Sequence, residues 1–204
     1  MQSTTSAVDL YWIPLGAGGA FVRFNGKVFE ALGALVERRA RRDLYHSALQ
    51  VTTPDCRYVI EMTPIPRSSG VDRGVVVEGP VGARRADRMR IFRYEIRRWA
   101  NGAIPDVTYA IASPVRVSSD TREAQRVLDL VPQVPALVWG RDALHAGDMW
   151  NSNSVVSWLL ASANINVAGI QPPPGGRAPG WEAGLAAARQ APGSRLAQPA
   201  GSAW

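Results

Sequence analysis

The sequence predicts an α+β fold in which an antiparallel sheet packs against helices. Short segments with alternating apolar and polar residues fill the first 120 positions. Two of them, 44–51 and 57–63, are separated by the turn-forming Thr53-Pro54-Asp55 and therefore predict a hairpin. Apolar patterns with helical spacing then dominate from Asp120 onward. Strands that precede helices in this way are typical of sheets covered by helices on one side.

The remaining strand predictions rest on the same alternation, which places apolar side chains on one face of a sheet. They cover residues 10–15, 21–24, 74–78, 89–99, 107–112 and 115–117. In the segment 89–99, Phe92, Tyr94 and Ile96 lie on one face of the predicted strand, and Arg93, Glu95 and Arg97 lie on the other.

Four helices are predicted. The first covers residues 26–38, where Val28, Leu32 and Val36 share a face. The second starts at Asp120, which forms a capping box with Glu123 and precedes a buried stripe of Ala124, Val127, Leu128 and Val131. The third runs from Ser152 to about Ala163, and a short fourth covers 181–188.

Length and composition predict one catalytic-type domain over residues 1–170, followed by a Pro/Gly-rich arm over 171–204 with a disordered end. The chain has 204 residues and is 46% hydrophobic, which is enough for a real core. No run of eighteen apolar residues occurs, so no membrane span is expected. The N-terminus lacks an apolar signal core and Cys56 is the single cysteine, so we expect a cytoplasmic protein without disulfides.

The formal charge of +6 comes almost entirely from arginine, because Lys27 is the only lysine. The arginines fall into groups at 38–42, 84–90 and 93–98. Such a surface could attract nucleic acid, acidic lipid or an anionic substrate. However, no interleaved aromatics, zinc-ligand spacing or recognition-helix pattern accompanies it, so we interpret the arginines as solvated surface and nucleic acid as an improbable partner.

The most informative motif is Met149-Trp150-Asn151-Ser152-Asn153-Ser154, a polar turn that opens an apolar helix. It predicts that Ser152 lies at the helix entrance, close to free backbone N–H groups and to the positive end of the helix dipole. A nucleophilic hydroxyl is most effective there. The simpler interpretation is that Ser152 is only a helix cap. Ser154 is the competing nucleophile, but its helical neighbours lie off the main apolar face.

A serine nucleophile needs a base and a group that orients the base. His46 lies on the first hairpin strand, and the hairpin register places Glu61 on the same face as a diagonal neighbour, so the predicted triad is Ser152, His46 and Glu61. His145 is the rival base. Cys56 falls in a turn and is expected to be structural. Two histidines and one cysteine do not make a zinc site, so we predict no metal and no cofactor.

These motifs resemble the circularly permuted papain-like superfamily, which includes lecithin:retinol acyltransferase-like proteins and relatives of NlpC-type peptidases. The match covers about residues 44–163. Asn151-Ser152 with Val155 resembles the family's nucleophile motif, and the segment that starts Tyr45-His46-Ser47 resembles its histidine motif. The resemblance implies a permuted papain-like fold, with Glu61 as the third polar residue. This chain departs from the family in having Ser152 where a cysteine is usual.

From these residues we expect a serine hydrolase or acyltransferase that acts on an ester, thioester or amide through an acyl-serine intermediate. Its substrate would be a small-molecule, lipid or peptide acyl compound. Tyr45, Trp150 and Asn151 are expected to line the cleft. The alternatives are a catalytically inactive binding module of the same fold and an arginine-rich polyanion binder.

Overall fold

A computed structural model describes residues 5–15, 43–65, 74–82 and 92–191. These residues form a six-stranded antiparallel sheet and three α-helices, so the predicted α+β class is confirmed. The strands are β1 (Ala7–Pro14), β2 (Tyr45–Thr52), β3 (Arg57–Pro64), β4 (Val75–Pro80), β5 (Arg93–Ala100) and β6 (Val115–Ser118). The helices are α1 (Thr121–Leu130), α2 (Ser152–Ser162) and α3 (Trp181–Gln190).

Some predicted features lie outside the described residues. They are the strand at 21–24, the helix at 26–38, the arginine groups at 38–42 and 84–90, and the end of the C-terminal arm from residue 192. Within the described ranges, none of the helices has the length and apolar character needed to cross a bilayer.

The sheet order is β4-β5-β3-β2-β1-β6, with the predicted hairpin β2–β3 near its centre. The hairpin pairs Leu49 with Ile60 and Thr52 with Arg57. Its turn is closed by the Thr53 N–H, which donates to the Cys56 carbonyl over 2.9 Å. Strand β5 pairs with the other edge of β3, and β1 pairs with the other edge of β2. The hairpin strands therefore occupy interior positions in the sheet order, and their mutual pairing covers Leu49–Thr52 and Arg57–Ile60.

The three helices cover one face of this sheet. Alternate strand residues point into the main core on this side, among them Trp12, Leu49, Ile60 and Ile96, all at most 1% exposed. Helix α2 lies at the centre of the layer. Its residues from Ser152 to Ala161 are buried on every side, because the sheet covers one flank and α3 covers another.

Helix α3 approaches α2 very closely. A Cβ atom added to Gly184 would collide with Ser157 Oγ and with the Ser154 carbonyl oxygen. The Ser157 hydroxyl donates to the Trp181 carbonyl over 2.7 Å. The segment before α3 also joins the sheet, since the Tyr45 N–H donates to the Arg177 carbonyl over 2.8 Å. Residues 177–190 of the predicted arm are therefore part of the packed core.

The opposite face of the sheet carries a smaller cluster of Ile13, Ala48, Val59 and Ile104. Ile104 belongs to the connection 101–114 between β5 and β6, which lies against this face. The Ile111 N–H donates to the Trp12 carbonyl, anchoring the connection to β1.

The predicted strand over 107–112 is wrong. Residues Val107–Tyr109 form a 3-10 turn preceded by Asp106, which has a left-handed φ of 61°. The β-favouring side chains of this segment are exposed, at 40% for Val107 and 55% for Tyr109. The Pro105-Asp106 turn signal therefore prevailed over local β propensity, as turn chemistry often does where no neighbouring strand is available.

Helix α1 starts as predicted, with Asp120 accepting hydrogen bonds from the N–H groups of Arg122 and Glu123. The predicted stripe of Ala124, Val127 and Leu128 is buried. The reciprocal half of the capping box is not formed, because the Glu123 carboxylate accepts from the Ser118 hydroxyl instead.

A buried ion cluster joins β3 to β5 at the cross-strand pair of Glu61 and Arg97. The Arg97 guanidinium donates to Glu61 over 2.8 Å and to Glu95 over 2.5 Å, and all three residues are less than 9% exposed. Arg93, four residues before Arg97 on the same strand, forms an ion pair with Glu78 in which both side chains are 38% exposed. The two arginines therefore provide a matched comparison of buried and exposed pairs.

We predict that Arg97→Met lowers the free energy of unfolding by about 3–5 kcal/mol, because it removes the counter-ion of the buried Glu61 and one ion-pair contact of the buried Glu95. Arg93→Met should cost less than about 1 kcal/mol, since solvent screens that pair. Urea unfolding of both variants at pH 7 measures the difference. Equal losses for the two variants would contradict the stabilising role of the buried cluster.

Candidate active site

Helix α2 begins at Ser152 because the polar turn before it forms a capping box. The Asn151 carboxamide oxygen accepts from the N–H groups of Asn153 and Ser154, over 2.8 and 3.4 Å. In return, the Ser154 hydroxyl accepts from the Asn151 N–H over 2.9 Å. Since Asn and Ser are strong capping residues, the sequence Asn-Ser-Asn-Ser fixes the helix start at the predicted position.

Ser152 is left with unused hydrogen-bonding groups. It is 7% exposed, and neither its hydroxyl nor its N–H bonds to any group in the described residues. By contrast, the Ser154 hydroxyl donates to the Gly180 carbonyl over 2.7 Å in addition to its capping bond. Ser152 therefore offers a free hydroxyl beside a free N–H at the positive end of the helix dipole, whereas Ser154 is a structural residue.

The next residue, Asn153, attaches this helix start to β2. Its side-chain N–H₂ donates to the Tyr45 carbonyl over 2.9 Å, and its oxygen accepts from the Ser47 hydroxyl over 2.8 Å. Tyr45 and Ser47 are the two neighbours of His46. The two segments that sequence analysis singled out, more than 100 positions apart, are therefore directly in contact through their backbones and flanking side chains.

The His46 side chain leaves the strand on the face opposite to that of Tyr45 and Ser47. It is cross-strand partner to Ile13, which belongs to the smaller cluster, and its ring bonds to no group in the described residues. Burial lowers the pKa of His46 to about 4, and the charge of Asp106 opposes this shift. The imidazole is thus neutral at pH 7. No hydrogen bond joins it to Ser152.

Glu61 is not the partner of His46. It pairs across the sheet with Arg97 and forms the buried ion pair described above. Burial raises the pKa of Glu61, and Arg97 opposes that rise. The hairpin register correctly placed Glu61 on the face of His46. However, it is the placement of β5 beside β3 that makes Arg97 the partner of Glu61.

Asp106 is the carboxylate whose charge acts on His46, and sequence analysis missed it. It stands in the left-handed conformation at the head of the 3-10 turn, half-buried in the connection that covers this face. Backbone of this kind at a non-glycine residue is frequent at functional sites. The available sequence signal was the turn-forming pair Pro105-Asp106, directly before the predicted strand at 107–112.

The three residues predicted to line the cleft have structural roles. Trp150 is 1% exposed and Tyr45 is 4% exposed, and both belong to the main core. Asn151 caps α2, and its side-chain N–H₂ donates to the Pro179 carbonyl over 2.8 Å. The two aromatic side chains are therefore core residues with almost no exposed surface, and Asn151, which is half-buried, serves to hold the start of α2 in place.

The rival residues gain no support. His145 is exposed, with φ of 53°, in a loop where the Asp142 carboxylate accepts from the N–H groups of Ala146 and Gly147. Cys56 is half-buried in the hairpin turn, with its thiol directed to the Arg57 carbonyl. Within the described ranges, no group of three or more His, Cys, Asp or Glu side chains could hold a metal ion.

Comparison with protein-family models, with curated proteins and with solved structures found no match to this chain. The residues and their geometry are therefore the only basis for assigning a function. The features that carry it are the unbonded Ser152, the docking of Asn153 beside His46, and the position of Asp106.

We predict that His46 titrates near pH 4 instead of near 6.5, because burial disfavours the imidazolium. In the His145→Gln variant a single imidazole remains, so its NMR titration is unambiguous. Adding Asp106→Asn should lower the midpoint further, while Asp129→Asn on α1 should leave it unchanged.

The lowered pKa of His46 also makes the stability of the fold depend on pH. The unfolded chain takes up the His46 proton below about pH 6.5, but the folded chain does so only near pH 4. Stability should therefore fall as pH drops through this window, and His46→Gln should flatten that dependence in urea unfolding. A His46 midpoint near 6.5 in the folded protein would contradict both expectations.

Proposed function

We propose that this chain is a small acyl-transfer enzyme, a serine hydrolase or acyltransferase that acts on an ester, thioester or amide through an acyl-serine intermediate. The observation that carries the proposal is the docking of Asn153 onto Tyr45 and Ser47, which holds an unbonded Ser152 hydroxyl beside the strand that bears His46. A nucleophile at a helix start and a neutral imidazole on the adjoining strand are two of the groups that acyl transfer by serine requires.

In this mechanism Ser152 Oγ attacks the acyl carbon while its proton passes to His46. The free Ser152 N–H, at the positive end of α2, donates to the oxyanion that forms. His46 then returns the proton to the leaving group, and water or another acceptor resolves the acyl-serine. We assign to Asp106 the role first given to Glu61, because its negative charge stabilises the imidazolium that forms on His46.

The proposal requires the His46 ring and the Ser152 hydroxyl to come together when substrate binds. Catalytic hydrogen bonds are often long or unformed without substrate. The lowered pKa of His46 has its own consequence. The ring is neutral and able to accept a proton at every pH well above 4, so the reaction rate should rise through about pH 4 and then stay level toward neutrality.

A second candidate is the inactive binding module. It is favoured by one specific observation, the absence of a hydrogen bond between Ser152 and His46 among the described contacts. The polyanion binder has less support. The described arginines of the third group all bond within the protein: Arg93 to Glu78, Arg97 to Glu61 and Glu95, and Arg98 to the Leu128 carbonyl.

Reaction with a fluorophosphonate separates enzyme from binding module. We predict a single adduct, mapped by peptide mass spectrometry to Ser152 and abolished by Ser152→Ala. His46→Gln should slow labelling by about 100-fold or more, the usual contribution of a general base. His145→Gln should leave the rate unchanged.

Ser152→Ala is a clean variant, because the hydroxyl that it removes has no partner within the described residues. Its urea midpoint should therefore equal that of the original chain. A folded protein that forms no adduct would support the binding module, and an adduct that persists in Ser152→Ala would refute the assigned nucleophile. Asp106→Asn and Glu61→Gln, compared with each other, decide which carboxylate assists His46.

A further inference from the structure

A cavity of about 780 Å³ lies at the other end of α2, away from Ser152. It opens between α1, the last turn of α2, α3 and the loop that precedes Trp150. Much of its wall is apolar, with Leu130, Leu137, Leu144 and Ala187 among the lining residues. This volume falls in the range of small-molecule sites, which are typically apolar with a few placed polar groups.

Two polar groups of α2 at this cavity have no hydrogen-bond partner among the described residues. Trp158 Nε1 and Ser162 Oγ are both buried and unbonded, and both residues line the cavity. They are four positions apart, so they lie on the same face of the helix. Trp158 is 5% exposed. Leaving such groups unbonded costs about 1–3 kcal/mol each, so natural proteins rarely do it without a reason.

Most other polar side chains along α2 are bonded. Asn153, Ser154 and Ser157 all donate to backbone carbonyls of the chain around them. Ser152, at the other end of the helix, is unbonded among the described residues, and so are the buried Nε1 atoms of Trp12 and Trp150. Of these groups, Trp158 and Ser162 are the two that line this cavity, where a bound molecule would supply their missing partner.

The hydrogen-bond donors and the charge of the lining residues indicate what kind of molecule would bind in the cavity. An indole N–H can only donate, and a serine hydroxyl can donate as well, so the two groups together suit a ligand with acceptor oxygens. Arg126 is the one charged residue among the described residues that line the cavity, and it lies exposed at the rim. Its guanidinium contacts the Ala163 carbonyl over 3.4 Å. A positive rim with no acidic lining residue favours an anion.

We propose that this cavity binds an apolar carboxylate, of the chemical class of medium-chain fatty acids. The carboxylate accepts hydrogen bonds from Trp158 Nε1 and Ser162 Oγ and is attracted by Arg126, while the hydrocarbon chain covers the apolar wall. The site is independent of acyl transfer. Ser152 and Ser162 are at opposite ends of α2, about 15 Å apart at 1.5 Å per residue.

The test is a titration of the full-length protein with decanoate, followed through the indole N–H resonances in ¹⁵N-correlated NMR spectra. We expect one resonance, identified as Trp158 by its loss in Trp158→Phe, to shift saturably and downfield as the N–H becomes bonded. Calorimetry gives the affinity of each variant. Ser162→Ala should weaken binding by about tenfold, the usual effect of losing one bond to a charged group.

Two matched variants test the charge and the location. Arg126→Gln should weaken binding at low salt, while Arg122→Gln, exposed on the same helix but outside the cavity, should not. Ser152→Ala should bind decanoate as well as the original chain does, which separates this site from the acyl-transfer site. Decanol and acetate, which lack the charge and the chain respectively, should bind much more weakly.

Three outcomes would overturn the proposal. One is the absence of any saturable shift of the Trp158 resonance. Another is decanol binding as tightly as decanoate, which would remove the carboxylate from the assignment. The third is a Ser162→Ala variant with unchanged affinity and higher stability, which would make the buried hydroxyl a structural defect.

Discussion

The hydrogen bonds of the Asn153 side chain are the interaction on which the candidate active site depends. This amide is 2% exposed and bonds to Tyr45 and Ser47 on β2 and to the Pro179 carbonyl just before α3. One side chain thus joins the start of α2 to the sheet and to the segment that leads into the last helix. Because Asn153 is buried, breaking these bonds would leave several polar groups unsatisfied at once, so the contact sets both the register and the orientation of α2.

The elements defined by local pattern were predictable from the sequence. The hairpin, the start of α1 at Asp120 and the start of α2 at Ser152 depend on neighbours within a few positions, and each is found where the pattern indicated. The placement of β5 beside β3 depends on the order of strands in the sheet, which local patterns do not encode. Local patterns therefore could not identify which arginine pairs with Glu61, although they correctly predicted its burial and its face of the sheet.

In the candidate site, too, some features follow from local sequence patterns and others depend on how distant segments are placed. Ser152 and the approach of the His46 segment follow from motifs that can be read along the chain. Asp106 belongs to a connection whose exposed Val107, Tyr109 and Ile111 resemble a strand, and only the position of that connection over the sheet reveals the acid. Trp150 and Tyr45 were misjudged because the sequence does not show that α3, in the Pro/Gly-rich region, returns to enclose α2.

The glycine at position 184 carries a mechanical consequence. Because α2 is clamped between the sheet and a helix that touches its backbone, it has no room to slide or tilt as a rigid rod. In the proposed mechanism, the rearrangement that unites the alcohol with the imidazole must therefore involve the segment of β2 that carries His46, whose side chain leaves the strand on the other face. In that mechanism the serine is the fixed group, and the histidine segment is the part that moves.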